Sequence, residues 1–176
     1  MTYNYGMILG RFQPFHLEHL RYFRLCWEQS ENVIVGITNP DPSTVVEDAA
    51  NDHRHLAAEN PLTFTERLMM IRDTLQSEGY DMGRILIVPL PIHHPERWPS
   101  YIPDGTVLFV VAYSDWERKK AERLEAEGYK VVVVDSLRKG ISAEQVRDRF
   151  RAKQNWEELV PASVVRFFRA RPELKL

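Results

Sequence analysis

Five short apolar runs set the frame of this chain: residues 5–9, 33–37, 85–90, 107–112 and 131–135. Each run is continuously apolar instead of alternating with polar residues. That is the pattern of a strand covered on both faces, as in a parallel sheet. Helical patterns separate the runs, over residues 17–29, 63–78, 116–127, 142–152 and 161–170. In the second, Leu68, Met70, Ile71 and Leu75 recur at helical spacing; in the third, Ala121 and Leu124 mark the inner face. Gly128 stands where a left-handed C-terminal cap belongs. Ser142 with Gln145 has the spacing of a capping box, and Pro161 suits a first helical turn. Strands alternating with helices imply parallel βαβ units with right-handed crossovers. The expected architecture is α/β: one domain over residues 1–176, built on an open parallel five-stranded sheet with helices on both faces.

Composition narrows the function. A chain of 176 residues can bury a core without disulfide or metal. Lys and Arg number 23 against 25 Asp and Glu, a net charge of -2, which argues against a general nucleic-acid coat. The single cysteine, Cys26, excludes an internal disulfide and a cysteine zinc site, and the apolar periodicity around it places it in the core. No apolar run is long enough to span a membrane. Met1-Thr2-Tyr3-Asn4 lacks a basic region followed by a long apolar stretch. The expectation is a soluble cytoplasmic protein without membrane contacts.

Two polar segments interrupt the pattern. Residues 38–61 hold His53, Arg54 and His55; residues 91–103 hold four prolines with His93, His94, Arg97, Trp98 and Tyr101. Both follow strands at their carboxyl ends, the edge where open α/β sheets bind ligands. Loops of this length in a compact domain are commonly lids or binding loops.

The chemistry is expected between the first strand and the first helix, in Gly10-Arg11-Phe12-Gln13-Pro14-Phe15-His16-Leu17-Glu18-His19. Gly10 lets the backbone approach a ligand. The helix start that follows presents free N–H groups and a positive dipole to phosphate. His16 and His19 are three residues apart and share one face, where two imidazoles can donate to phosphate oxygens. A packed histidine pair is an alternative. A metal pair is another, although it would want further ligands that are not obvious nearby. A second constellation, Arg138-Lys139-Gly140-Ile141-Ser142 with Arg147, combines a capped helix start and three cations into an electropositive wall for a polyphosphate. Read alone, it is equally a capped helix with surface arginines.

The run from Gly10 to His19 resembles the GRFQPFHxGH signature of the nucleotidylyltransferase superfamily, and Ile141 to Arg147 resembles its ISxTxxR signature. The chain resembles in particular the archaeal-type nicotinamide mononucleotide adenylyltransferases. That resemblance extends through Asn60-Pro61-Leu62-Thr63, Glu66-Arg67, Trp98, Tyr101 and Trp156-Glu157-Glu158-Leu159-Val160-Pro161. It implies a Rossmann-like fold and transfer of a nucleoside monophosphate from a nucleoside triphosphate, with Mg²⁺ and release of pyrophosphate. It also implies that Gly10, Arg11 and Phe12 form a backbone cradle and that His16 and His19 serve the α and β phosphates. Arg138, Lys139, Ser142 and Arg147 would hold the β and γ phosphates, with the helices of residues 142–176 completing the triphosphate site. No protein ligand is assigned to Mg²⁺, which can sit on phosphate oxygens and water.

The chain departs from the family pattern at Glu18, which replaces a glycine between the histidines, and at Glu144, which replaces a threonine. Tyr113-Ser114-Asp115-Trp116 stands in place of the family's segment after the fourth strand, and the 38–61 loop is longer. Two acceptors fit. With ATP and nicotinamide mononucleotide, Trp98 would stack on the pyridine ring. With CTP and a small phosphonate of the phosphonoformate type, His53, Arg54, His55, His93, His94 and Arg97 would clamp a compact, multiply charged anion. The span of the resemblance favours the adenylyltransferase by a narrow margin. A catalytically silent nucleotide sensor is a third reading, against which both phosphate motifs speak. Val164, Val165, Phe167 and Phe168 suit either core packing or a homo-oligomer contact.

Overall fold

The computed structural model describes residues 2–44, 56–113, 115–135 and 140–176. Five strands, β1 (Tyr3–Gly10), β2 (Ser30–Thr38), β3 (Ile85–Leu90), β4 (Val107–Ala112) and β5 (Lys130–Asp135), form one sheet in the order β3-β2-β1-β4-β5. Every neighbouring pair is parallel. Helices α1 (Leu17–Trp27), α2 (Phe64–Ser77), α3 (Asp115–Ala126), α4 (Ala143–Arg151) and α5 (Ala162–Arg169) complete the fold. The expected Rossmann-like architecture is met.

Strand alternation divides the core in two. Ile8, Val33, Val35, Ile37 and Phe109 face one side and pack with Phe23 of α1, Ile71 of α2, Val146 of α4 and Phe168 of α5. Met7, Leu9, Ile34, Leu108 and Val110 face the other side and pack with Ala121 and Leu124 of α3 and with Trp98. A half-polar strand could not serve both layers, which is why the runs are continuously apolar. Val164, Phe167 and Phe168 are all buried in the first layer, so the core accounts for them. Cys26 is fully buried as well. Among the described residues no helix is long and apolar enough to cross a membrane.

The strand order reverses direction between β1 and β4, and there the sheet parts. β1 pairs with β2 from Tyr3 to Gly10, but with β4 only at Gly6 and Met7. Beyond that point the carbonyl of Phe109 has no ladder partner on β1 and accepts instead from the Tyr22 hydroxyl of α1. Burial pushes that phenol far above its ordinary pKa, so it stays a donor. The carboxyl edge beside this parting is the ligand position of open α/β sheets.

Candidate active site

The loop leaving β1 is rigid for reasons visible in its sequence. Phe12 is left-handed (φ 53°) and its ring is buried, packing against Phe15 at 5.7 Å and edge-on to His19 at 4.8 Å between centroids. Gly10 lies close beneath it: a Cβ there would sit 3.0 Å from the Phe12 ring, which would have to shift to admit it. The Gln13–Pro14 peptide is cis. Gln13 is buried and pairs its carboxamide with Leu62 in both directions: Nε2 donates to the Leu62 carbonyl (2.8 Å) and Oε1 accepts from the Leu62 N–H (2.9 Å). The pairing fixes the loop to the segment that precedes α2.

His16 occupies the N-cap of α1. Its backbone N–H donates to Nδ1 of His19 (3.3 Å), and the two rings stack at 3.6 Å with a 21° tilt. A nitrogen that accepts carries no proton, so the neutral His19 ring is the Nε2–H tautomer. The shared face expected for the pair is present.

The second constellation meets the first through Arg147. Ser142 caps α4 by accepting from the Gln145 N–H (3.1 Å). Arg147, only 1% exposed, donates Nη1 to the Gln13 carbonyl (2.7 Å) and pairs Nη2 with the Glu59 carboxylate. Burial lowers its pKa, and Glu59 opposes that shift. Its Nε is buried without a partner among the described residues. Arg11 directs Nη1 at the Glu59 carbonyl and at Asn60 Oδ1, both 3.4 Å away, and Arg151 donates to the Ala58 carbonyl (2.7 Å). Three arginines thus converge on the 3₁₀ turn Ala57–Glu59.

The departures from the family pattern also find places. Glu18 lies against Gly140, where a Cβ would come within 2.6 Å of its carboxylate. It shares a cavity of about 90 Å³ with Arg21, Tyr22, Tyr113 and Asp135. Burial raises the Tyr113 pKa, and Glu18 raises it further.

The hydrogen bonds and ion pairs of His94, Arg97 and Trp98 among the described residues stay within the segment after β3. His93 is exposed; His94 Nδ1 and Arg97 Nε both face Glu96, at 3.2 and 3.7 Å. Trp98, expected as an acceptor platform, lies in the second core layer. It is 1% exposed, its Nε1 donates to the Pro91 carbonyl (2.9 Å), and its ring packs on Tyr129 at 5.0 Å. The lower sheet face needs a large apolar cover, and Trp98 provides it. His53, Arg54, His55, Arg138 and Lys139 lie outside the described residues.

The sequence reading gave no role to Gln13, Glu59 or Arg67. Arg67 is 2% exposed and donates to four carbonyls: Nε to Thr63 (3.2 Å), Nη1 to Arg11 (2.9 Å) and Thr38 (2.8 Å), Nη2 to Asn39 (2.9 Å). Burial, with Arg11 nearby, lowers its pKa to about 10. A signal was available, since Arg67 falls on the same helical face as Met70, Ile71 and Thr74, all buried.

A parallel sheet parted at its reversal point, with a helix-capping histidine pair at the loop beside it, defines an α/β enzyme of the nucleotidyltransferase class. Known proteins agree. The cytidylyltransferase-like family matches residues 7–149, and the chain belongs to that family. It is 41% identical over 162 residues to a phosphonoformate cytidylyltransferase of Streptomyces viridochromogenes, covering 92% of this chain and 88% of that one. It is 33% identical over 166 residues to a nicotinamide-nucleotide adenylyltransferase of Thermococcus sibiricus, covering 93% and 82%. The fold matches a bifunctional NMN adenylyltransferase/ADP ribose pyrophosphatase of Francisella tularensis, crystallised with AMP and a manganese ion. The TM-score is 0.69 at 18% identity, over 97% of this chain and half (50%) of that longer one.

Proposed function

We propose that this nucleotidyltransferase moves a cytidylyl group from CTP to a phosphonate or phosphate oxygen of a small, multiply anionic acceptor and releases pyrophosphate. The observation that carries the acceptor class is the burial of Trp98. Its ring packs in the second core layer with Tyr129 and its N–H donates to Pro91, which favours a packing role over stacking on a pyridine. The 41% identity to a phosphonoformate cytidylyltransferase supports the same reading. The 33% identity to a nicotinamide-nucleotide adenylyltransferase supports adenylyl transfer as the second reading.

The acceptor oxygen is already anionic near neutral pH, so it attacks the α-phosphorus without a general base. The new P–O bond forms as the bond from the α-phosphorus to the bridging oxygen breaks, and that oxygen leaves on pyrophosphate. The protein's part is alignment and charge stabilisation. His19 Nε2–H and the start of α1 donate to the transferring group, and Arg11 serves the leaving phosphates. Arg147 orders the loop through Gln13, and it reaches phosphate once Glu59 gives way. Magnesium would arrive on the triphosphate and neutralise its charge. Such an ion can be held mainly by phosphate oxygens and water.

Melting curves with CTP, ATP, GTP and UTP plus Mg²⁺ test the base, since a ligand of the native state raises the melting point by mass action. Pyrophosphate release with a small phosphonate or with nicotinamide mononucleotide tests the acceptor. The largest shift with CTP and release with the phosphonate are expected. Efficient transfer from ATP to nicotinamide mononucleotide would replace this reading with the second. Nucleotide binding without release on any acceptor would point to a sensor.

A further inference from the structure

Phe12 (φ 53°) and Asn39 (φ 49°) are two non-glycine residues held left-handed at the carboxyl edge of the sheet, one after β1 and one after β2. Such residues persist only where their surroundings over-determine them, and they concentrate at functional sites. One side chain links both. Arg67 donates to the carbonyl of Arg11, which opens the peptide into Phe12, and to the carbonyl of Asn39 itself. It also holds the last residue of β2, Thr38, and the N-cap of α2, Thr63. Its four hydrogen-bond partners among the described residues are all carbonyl oxygens, and the carboxylate that acts on its charge, Glu66, makes no hydrogen bond to it among them. Burial of this cation is costly, and a bound polyanion would offset that cost.

We propose that Arg67 is a positioning residue of the transfer reaction: it sets the backbone at Phe12 and Asn39 and keeps a positive charge behind the phosphate loop for the bound polyphosphate. This rests on the nucleotidyltransfer reading above. The two duties separate by chemistry. Lysine keeps the charge but lacks the planar fork that gathers several carbonyls. Methionine keeps neither.

The test compares Arg67→Lys and Arg67→Met with the unaltered protein in melting temperature, in calorimetric affinity for inorganic tripolyphosphate, and in steady-state kcat and KM. For Arg67→Lys, tripolyphosphate affinity should stay within about threefold while kcat falls roughly 10²-fold, the scale of a 1 Å misplacement. For Arg67→Met, tripolyphosphate affinity should also fall, by about tenfold or more. A folded Arg67→Lys with normal kcat, or an Arg67→Met that binds tripolyphosphate normally, overturns the proposal. If neither variant folds, Asn39→Val and Asn39→Gly decide it. Valine strains the left-handed backbone and glycine does not, so kcat should fall in the first and hold in the second; equal values overturn it. If the unaltered protein transfers nothing, the functional reading fails by itself, and the tripolyphosphate affinities still judge Arg67.

Discussion

His19 has two functions that a single substitution removes together. Its Nδ1 accepts from the His16 N–H and so closes the helix start, while its ring stacks on His16 at the proposed phosphate site. His19→Ala should lower kcat by about 10²–10³-fold through the lost donor. It should also cost about 1 kcal/mol of stability through the lost cap, measured by denaturant melts. His16→Ala should show a similar loss of turnover with little change in nucleotide affinity. Normal turnover in either variant would remove the pair from the chemistry. Cys26 gives a pH-dependent counterpart. Burial pushes its thiol from 9.0 up to about 12. The folded state therefore holds that proton more tightly than the unfolded chain, and its contribution to stability is full below pH 9. That contribution declines as pH rises from about 9 towards 12. Iodoacetamide at pH 8 should leave native Cys26 unmodified and alkylate it in denaturant; rapid native alkylation would contradict its burial.

Elements were far easier to read than contacts. The runs at 5–9, 33–37, 85–90, 107–112 and 131–135 all became strands with similar bounds; burial on both faces explains the unbroken apolar signal of the inner strands, while the edge strands β3 and β5 keep it with Leu86 and Val133 exposed. Gly128 is left-handed (φ 90°) after α3, and Ser142 caps α4, as local rules require. Thr63 and Glu66 form a reciprocal capping box at α2. Thr63→Ala should lower stability by about 1 kcal/mol in a urea melt, and a neutral result would mean that packing alone holds that end. The proline-rich 3₁₀ turn Pro95–Ser100 carries no periodicity, so nothing local announces that Trp98 within it is buried against the sheet. The Glu59–Arg147 pair joins positions 88 apart, and nothing local to either residue announces it.

Across the whole molecule the sheet is tightly built where it must be. A Cβ on Gly6 would run into Ser30 Oγ and, at 2.7 Å, Cys26 Sγ, so β1 and α1 approach as closely as they do only through glycine. Gly6→Ala should cost roughly 1–3 kcal/mol, read as a lower melting temperature with the strand content retained. The long excursion between β2 and α2 is a different matter, because both its ends are fixed. Arg67 holds Asn39 at one end, while Gln13 and Arg67 hold Leu62 and Thr63 at the other. Lengthening a loop between fixed ends adds only about 0.6 kcal/mol per doubling. Replacing residues 41–55 with a shorter glycine–serine linker should therefore leave CTP binding in place while acceptor turnover collapses. Loss of both together would show that the excursion supports the nucleotide site. An excursion moored in this way behaves as an interchangeable cartridge. A lineage could refit it for a new acceptor by insertion, deletion or recombination and inherit the phosphate chemistry unaltered.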